Sequence, residues 1–325
     1  MKTELTTQNK IFNEVKKFSS QHTYVFSFLA LLVIAVLINK NFLSYSYLST
    51  LILQSTIKGI IALGMTLVII SGQIDLSVGS ITALVSGLGV VVLNTTENML
   101  VMLLFCMVFG LFLGTINGLL VTKGRIAPFI VTLATLSAFR SIIVQLGQGG
   151  PFNVSENVYQ SFRLIAVGTI FKIPNLAIIF VIVTAIVYIV MEKTKFGRYI
   201  YAVGSNEKAA SLAGINVVRI KTLCFSITGL LTGISAFLLA SRLTSITAPN
   251  AGVSFELDAI AAVAIGGTSM NGGRGRIIGT FLGIIMLQMI EGILIAAKIP
   301  PFLTGLVKGV IIILAVLLQS KKEKS

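Results

Sequence analysis

The chain has little charge. Charged residues occupy 11% of its 325 positions, where soluble domains carry roughly 25%. So few cannot cover a water-facing globular surface. Tryptophan is absent and histidine occurs once, as His22, which excludes a histidine-based metal centre or catalytic triad. The two cysteines, Cys106 and Cys224, each sit inside an apolar run. They read as small hydrophobes, not as disulfide partners or metal ligands. No Gly-Lys dipeptide occurs, so the phosphate-cradling G-x-x-x-x-G-K-[ST] loop is missing. No cofactor is expected on this chain.

What the sequence has is apolar length. Hydrophobic residues make up 55% of it, in stretches parted by short connectors. About 20 apolar residues cross a hydrocarbon core of ~30 Å as a helix, and a helix satisfies its own backbone in lipid. The expected fold is all-α: a polytopic transmembrane bundle of about ten spans. The runs fall at 24–39, 51–71, 77–93, 99–121, 128–146, 173–191, 222–241, 256–271, 276–297 and 301–319. Residues 1–23 and 320–325 read as tails, and 24–319 as one transmembrane domain. The first run follows Lys16 and Lys17 like a signal peptide, but no small-x-small cleavage pattern follows it. It reads as a retained span.

The net charge of +14 would suggest nucleic acid in a soluble protein. Here the charges lie in connectors, where they set topology beside anionic lipid, and no nucleic-acid partner is expected. With the N-terminus inside, 17 basic residues fall inside and only Lys40, Arg163, Lys172, Arg242 and Lys298 outside. That predicts an even span number with both termini cytoplasmic. Lys58, Arg140 and Lys308 remain inside spans, as does Glu291; each must snorkel, pair or face a cavity. Lys58 is placed near an outer end where it can snorkel, and Lys308 with Glu291 is a candidate ion pair. The outer loop 147–172 is long enough for a small external feature. Asn94 and Asn153 head sequon triplets that chance alone also supplies.

Three segments carry chemistry. In 62–84, ALGMTLVIISGQIDLSVGSITAL, an apolar helix runs into Ser71-Gly72 and restarts after Asp75. Ser77 is a candidate cap for the restarted helix, with Asp75 near its positive end. This reads either as a broken helix on a polar path or as a capped turn at the inner face. In 257–283, LDAIAAVAIGGTSMNGGRGRIIGTFLG, clustered glycines around Asn271 permit a tight turn and close helix contact. Glu256 and Asp258 precede it at an outer boundary, as a solvated helix start or as a polar mouth for a hydroxylated solute. In 194–222, TKFGRYIYAVGSNEKAASLAGINVVRIKT, Ser205 reads as an N-cap and Glu207 as a first-turn acid. Helix formers include Asn206, Ala209 and Ala210, and Gly214 is the stop. Such a helix over 206–213 is ~12 Å long and needs a partner surface to be stable. It lies in the largest inner connector, 192–221, and reads as a peg that docks into another protein.

The pieces GMTLVII…IDLSVGS, GRYIYAVGSNEKAASLAGINVVRIK and ELDAIAAVAIGGTSMNGGRGRIIGT appear in order. With VKGVIIILAVLL they cover most of the chain. Together they resemble the permease subunits of monosaccharide ATP-binding-cassette importers, closest to the ribose type. Gln73, where a glycine is usual, and the stretch 287–301 depart from that pattern.

The resemblance implies a pore made with a second permease copy or a paralogue. It implies ATP-binding-cassette ATPase subunits on the cytoplasmic face, which bind the ATP. It also implies an extracytoplasmic sugar-binding protein and a multi-pass location in the cell's inner membrane. Ser205 to Gly214 falls where such permeases carry their ATPase-coupling helix. Asp75, Ser77, Glu256, Asp258 and Asn271 are the candidates for the translocation path or gate. An ion-coupled secondary sugar transporter is the alternative, and it needs titratable carboxylates in the spans. A membrane enzyme lacks a catalytic constellation.

Overall fold

In the computed structural model, residues 23–300 are described, together with 303, 305–307, 309–311 and 313. The expected tenth span and Lys308 lie largely or wholly outside the described residues. Helix α1 is Thr23–Ile38, α2 Tyr45–Ile70, α3 Val78–Thr96, α4 Met99–Thr122 and α5 Pro128–Leu146. Strand β1 (Pro151–Asn153), α6 (Glu156–Val167), β2 (Thr169–Ile170) and β3 (Ile173–Pro174) follow. Then come α7 (Asn175–Lys193), α8 (Lys195–Ser205), α9 (Glu207–Leu212) and α10 (Val217–Leu243). Strand β4 (Ser245–Thr247), α11 (Phe255–Ile265) and α12 (Ile277–Ala296) complete the order.

Seven of these, α2, α3, α4, α5, α7, α10 and α12, are long and apolar enough to cross a membrane. Helix α1 has 16 residues. The expected span 256–271 instead forms an 11-residue helix, ~16 Å long at 1.5 Å per residue. That is about half the hydrocarbon thickness. The reason is local: Gly266 and Gly267 end it, and Gly267 takes φ 84°.

The core is built on α2, α3 and α10, buried over most of their length. Helices α4, α5 and α7 turn large apolar side chains outward, among them Leu104, Phe112, Ile142, Val181 and Ile186. Such a coat suits lipid. Between the buried helices, association rests on small residues and hydroxyls, because lipid is as apolar as leucine. Gly110, Gly114 and Gly118 of α4 face Thr222, Phe225, Gly229 and Gly233 of α10, and a Cβ at Gly114 would overlap the Phe225 carbonyl. Hydroxyls bridge helices: Thr228 donates to the Gly64 carbonyl at 2.9 Å and Ser235 to that of Ile57 at 2.6 Å. Thr66 and Thr280 share a hydrogen bond of 2.7 Å.

The bundle has two dissimilar ends. One carries the turns 71–77, 123–127, 194–216 and 266–276, with Lys123, Arg125, Lys195, Arg198, Lys208, Arg219, Arg274 and Arg276. This is the basic end. At the opposite end β1 pairs antiparallel with β4, Phe152 facing Ile246. The amide of Asn94 clamps this ribbon, donating to the Asn153 carbonyl at 2.8 Å and accepting from the Ser155 N–H at 2.9 Å. The segment 147–172, expected to form a small external feature, holds β1 and the amphipathic helix α6 at the end opposite the basic one.

Candidate functional site at the basic end

Helix α2 ends in a Schellman turn. Gly72 takes φ 80°. Its N–H reaches the Ile69 carbonyl at 2.9 Å, and the Gln73 N–H reaches that of Val68 at 3.0 Å, so two end carbonyls are satisfied. Asp75, fully buried, then receives both the Ser77 N–H at 2.8 Å and the Ser77 hydroxyl at 2.6 Å on Oδ1. Ser77 in turn accepts from Asn117 Nδ2 at 2.7 Å. The capping expected of Ser77 is therefore corrected: its hydroxyl is spent on Asp75 and makes no cap bond to α3. Burial pushes the Asp75 carboxyl above the usual range, and the two Ser77 bonds partly oppose this. Helices α2 and α3 are each long enough to span, so the interruption is a turn between two spans at the basic end, and Asp75 is the pin of that turn.

The glycine-rich turn 266–276 folds back onto this break. The Gly273 N–H donates to the Ile70 carbonyl at 2.8 Å. Gly272 and Gly273 take φ 86° and 70°. A Cβ at Gly272 would lie 3.0 Å from Gly72 Cα, and one at Gly273 2.7 Å from Ser205 Cα. Only glycine allows both the left-handed backbone and the approach. Asn271 is exposed on this turn, its N–H 3.3 Å from the Ser269 hydroxyl.

The 194–216 connector completes the cluster. It holds two helices where the sequence pointed to one. Helix α8 buries Gly197, Ile200 and Val203, and its end presses on α2: a Cβ at Gly204 would overlap the Ile70 carbonyl. The Tyr201 hydroxyl donates to the Gly275 carbonyl at 3.0 Å, and its pKa is pushed up to about 12, chiefly by burial. Ser205 closes α8, and the N-cap of α9 is Asn206, whose side chain accepts from the Ala209 N–H at 2.9 Å. That corrects the expected Ser205 cap by one residue. Gly214 does end the element: it takes φ 81°, and the Ile215 N–H returns to the Ala210 carbonyl at 3.0 Å. Ala210 is buried, Ala209 is exposed, and Glu207 is tied to Lys221 at 2.6 Å. Leu212 is 91% exposed.

The remaining candidates lie deeper. Lys58 stands midway along α2 rather than at an outer end. Its Nζ lies 2.6 Å from Asp258 and 3.7 Å from Glu291, so α2, α11 and α12 meet at an ion cluster. Glu291 lies against Lys58; the partner the sequence suggested, Lys308, is outside the described residues. Asp258 is 4% exposed and paired with Lys58 midway along α2, so it is not the solvated first-turn acid of the expected reading. Arg140, midway along α5, donates to the Ala248 and Ala251 carbonyls at 2.9 and 2.5 Å, fastening the segment that leads into α11. Glu256, half-buried, sits against Gly79 at the start of α3. No group of three or more potential metal ligands occurs among the described residues.

The α2–α3 turn, the turn that follows the half-helix α11, and the 194–216 connector thus meet at one end of the bundle. The family described as the permease component of branched-chain amino acid transport systems matches residues 47–316. The chain belongs to this family of permease components. It is similar to the ribose import permease protein RbsC of Bacillus subtilis (strain 168), 41% identical over 90% of each chain. It is 35% identical to the protein of that name from Escherichia coli (strain K12), over 99% of this chain and all of the other. It is 32% identical to the L-arabinose transport system permease protein AraH of the same strain, over 94% of this chain and 92% of the other. No solved structure matches the chain significantly. As a permease component with seven long apolar helices among the described residues, the protein is a multi-pass membrane protein and a transport subunit rather than an enzyme.

Proposed function

We propose that the protein is the membrane permease of an ATP-binding-cassette importer for a monosaccharide, ribose or a closely related sugar. The observation that carries this is the relation to the ribose import permeases along nearly the whole chain. The contact of α8, which leads directly into α9, with the end of α2 gives it a mechanism. The ATP is hydrolysed by separate subunits. In this reading the basic end is cytoplasmic, as the bias of Lys and Arg favours, and the membrane is the cell's inner membrane. A second permease copy or a paralogue completes the pore, and an extracytoplasmic binding protein delivers the sugar.

In this mechanism α9, from Asn206 to Gly214, seats in the ATPase. When the ATPase closes on ATP, it pushes α9 and α8 together. The push passes through Gly204 and Ser205 to Ile70 and Gly273, and so to the turn that Asp75 and Ser77 pin. The restart of α3 and the half-helix α11 then shift as one gate. Glu256, near Arg140, is the charged group on the path; Asp258 positions α11 through Lys58, and Asn271 rides on the moving turn. Proteoliposomes holding the permease, its ATPase subunits and the binding protein test this. D-ribose uptake that requires ATP on the peg side is the expected result. Uptake by the permease alone under a proton or sodium gradient would overturn it.

A further inference from the structure

The basic end also carries an open cavity of about 610 Å³. Its walls include Gln73 of the break turn, Arg125 and Pro128 of the α4–α5 connection, Glu207 of α9, and Val218 and Lys221 of α10. Lys221 is buried and neutralised by Glu207 at 2.6 Å. Arg125 is exposed and forms no salt bridge among the described residues. Its backbone is left-handed at φ 54°. Lys123, Lys208 and Arg219, on the same connectors, are exposed and equally without salt bridges among the described residues. Among the described residues this end therefore carries positive charge that no salt bridge compensates. A surface of one sign favours a partner of the other and penalises one of its own.

We propose that this cavity receives an acidic segment of the ATPase subunit, anchored on Arg125. The inference rests on the ATP-driven reading above and extends it. A segment seated there touches the peg through Glu207 and the helix break through Gln73 at once. The ATPase then acts on the gate directly as well as through α9. The glutamine at position 73 sets a long amide on that floor, where it meets the inserted segment.

The test uses the full-length permease and its own ATPase subunits, in nanodiscs of neutral lipid and of lipid with anionic headgroups. Affinity of the ATPase subunits is measured at low and high salt for wild type, Arg125→Glu and Arg125→Gly. The glycine variant keeps the left-handed backbone available and removes the charge. Arg125→Glu is expected to weaken binding about tenfold or more at low salt, with the gap closing as salt screens the charges. Arg125→Gly is expected to fall between, in both lipids. Equal affinity of all three proteins at low salt would overturn the proposal. So would a loss that salt leaves unchanged, which assigns Arg125 to folding. A loss seen only with anionic lipid would overturn it too, in favour of a lipid headgroup. Failure of the wild type to bind any ATPase subunit would instead refute the ATP-driven reading itself.

Discussion

The Gly273 N–H donates to the Ile70 carbonyl at 2.8 Å, and through this bond the glycine-rich turn holds the end of α2. The α8 terminus lies on the same carbonyl through Gly204. Three chain segments separated by more than 60 residues thus share one backbone oxygen.

Gly204→Ala drives a methyl into that junction. Overpacking of this kind costs about 1–3 kcal/mol. Thermal unfolding in detergent should show the loss, and uptake should fall with it. Gly214→Ala, where no atom lies within 4 Å of the added Cβ, should leave the junction intact and disturb only the α9 stop.

Lys58→Ala removes the cation that pairs with the buried Asp258. Breaking a buried pair from one side costs about 3–5 kcal/mol. The double variant Lys58→Met with Asp258→Leu should recover much of that, because the buried carboxylate at 258 is removed together with its cation. Denaturation of the two variants side by side checks it.

Asp75 makes stability depend on pH. Burial holds its carboxyl above the ordinary range, so the folded chain keeps a proton that the unfolded chain releases. Stability then falls as pH rises from the ordinary carboxylate range through the raised folded value, and levels above it. Asp75→Asn removes this slope and keeps an oxygen for the two Ser77 bonds. Melting temperatures between about pH 4 and about pH 8 should show wild type losing ground to the variant as pH rises.

Leu212→Asp alters a side chain that the bundle does not bury. It should leave folding within about 0.5 kcal/mol of wild type while uncoupling ATP hydrolysis from uptake. Gly214→Pro should uncouple as well, by spoiling the left-handed stop. Parallel assays of ATP hydrolysis and D-ribose uptake separate these effects from a folding defect.

The breaks and the peg were legible in the sequence because their signals are local. Gly72, Asp75 and Gly214 each declare a turn within a few residues. The cap at Asn206 was misplaced by one residue because serine and asparagine cap equally well, and the choice turned on where α8 ends. Helix α8 itself was missed: its glycines, Gly197 and Gly204, look like breakers but serve close packing. The spacing Gly110-x-x-x-Gly114-x-x-x-Gly118 was present and would have marked the α4–α10 contact. The partners of Lys58 and Arg140 were not legible, since both bonds join residues more than 100 positions apart. The depth of α11 was equally hidden, because a half-helix and a full span begin with the same apolar run.

The most direct measurement places the peg. Cys106 and Cys224 are buried, so Leu212→Cys offers one accessible thiol among the described residues. A membrane-impermeant maleimide should leave it unlabelled in intact cells, label it in inverted vesicles, and be blocked there by added ATPase subunits. Labelling in intact cells, or labelling of inverted vesicles that the ATPase never blocks, would contradict the proposed coupling.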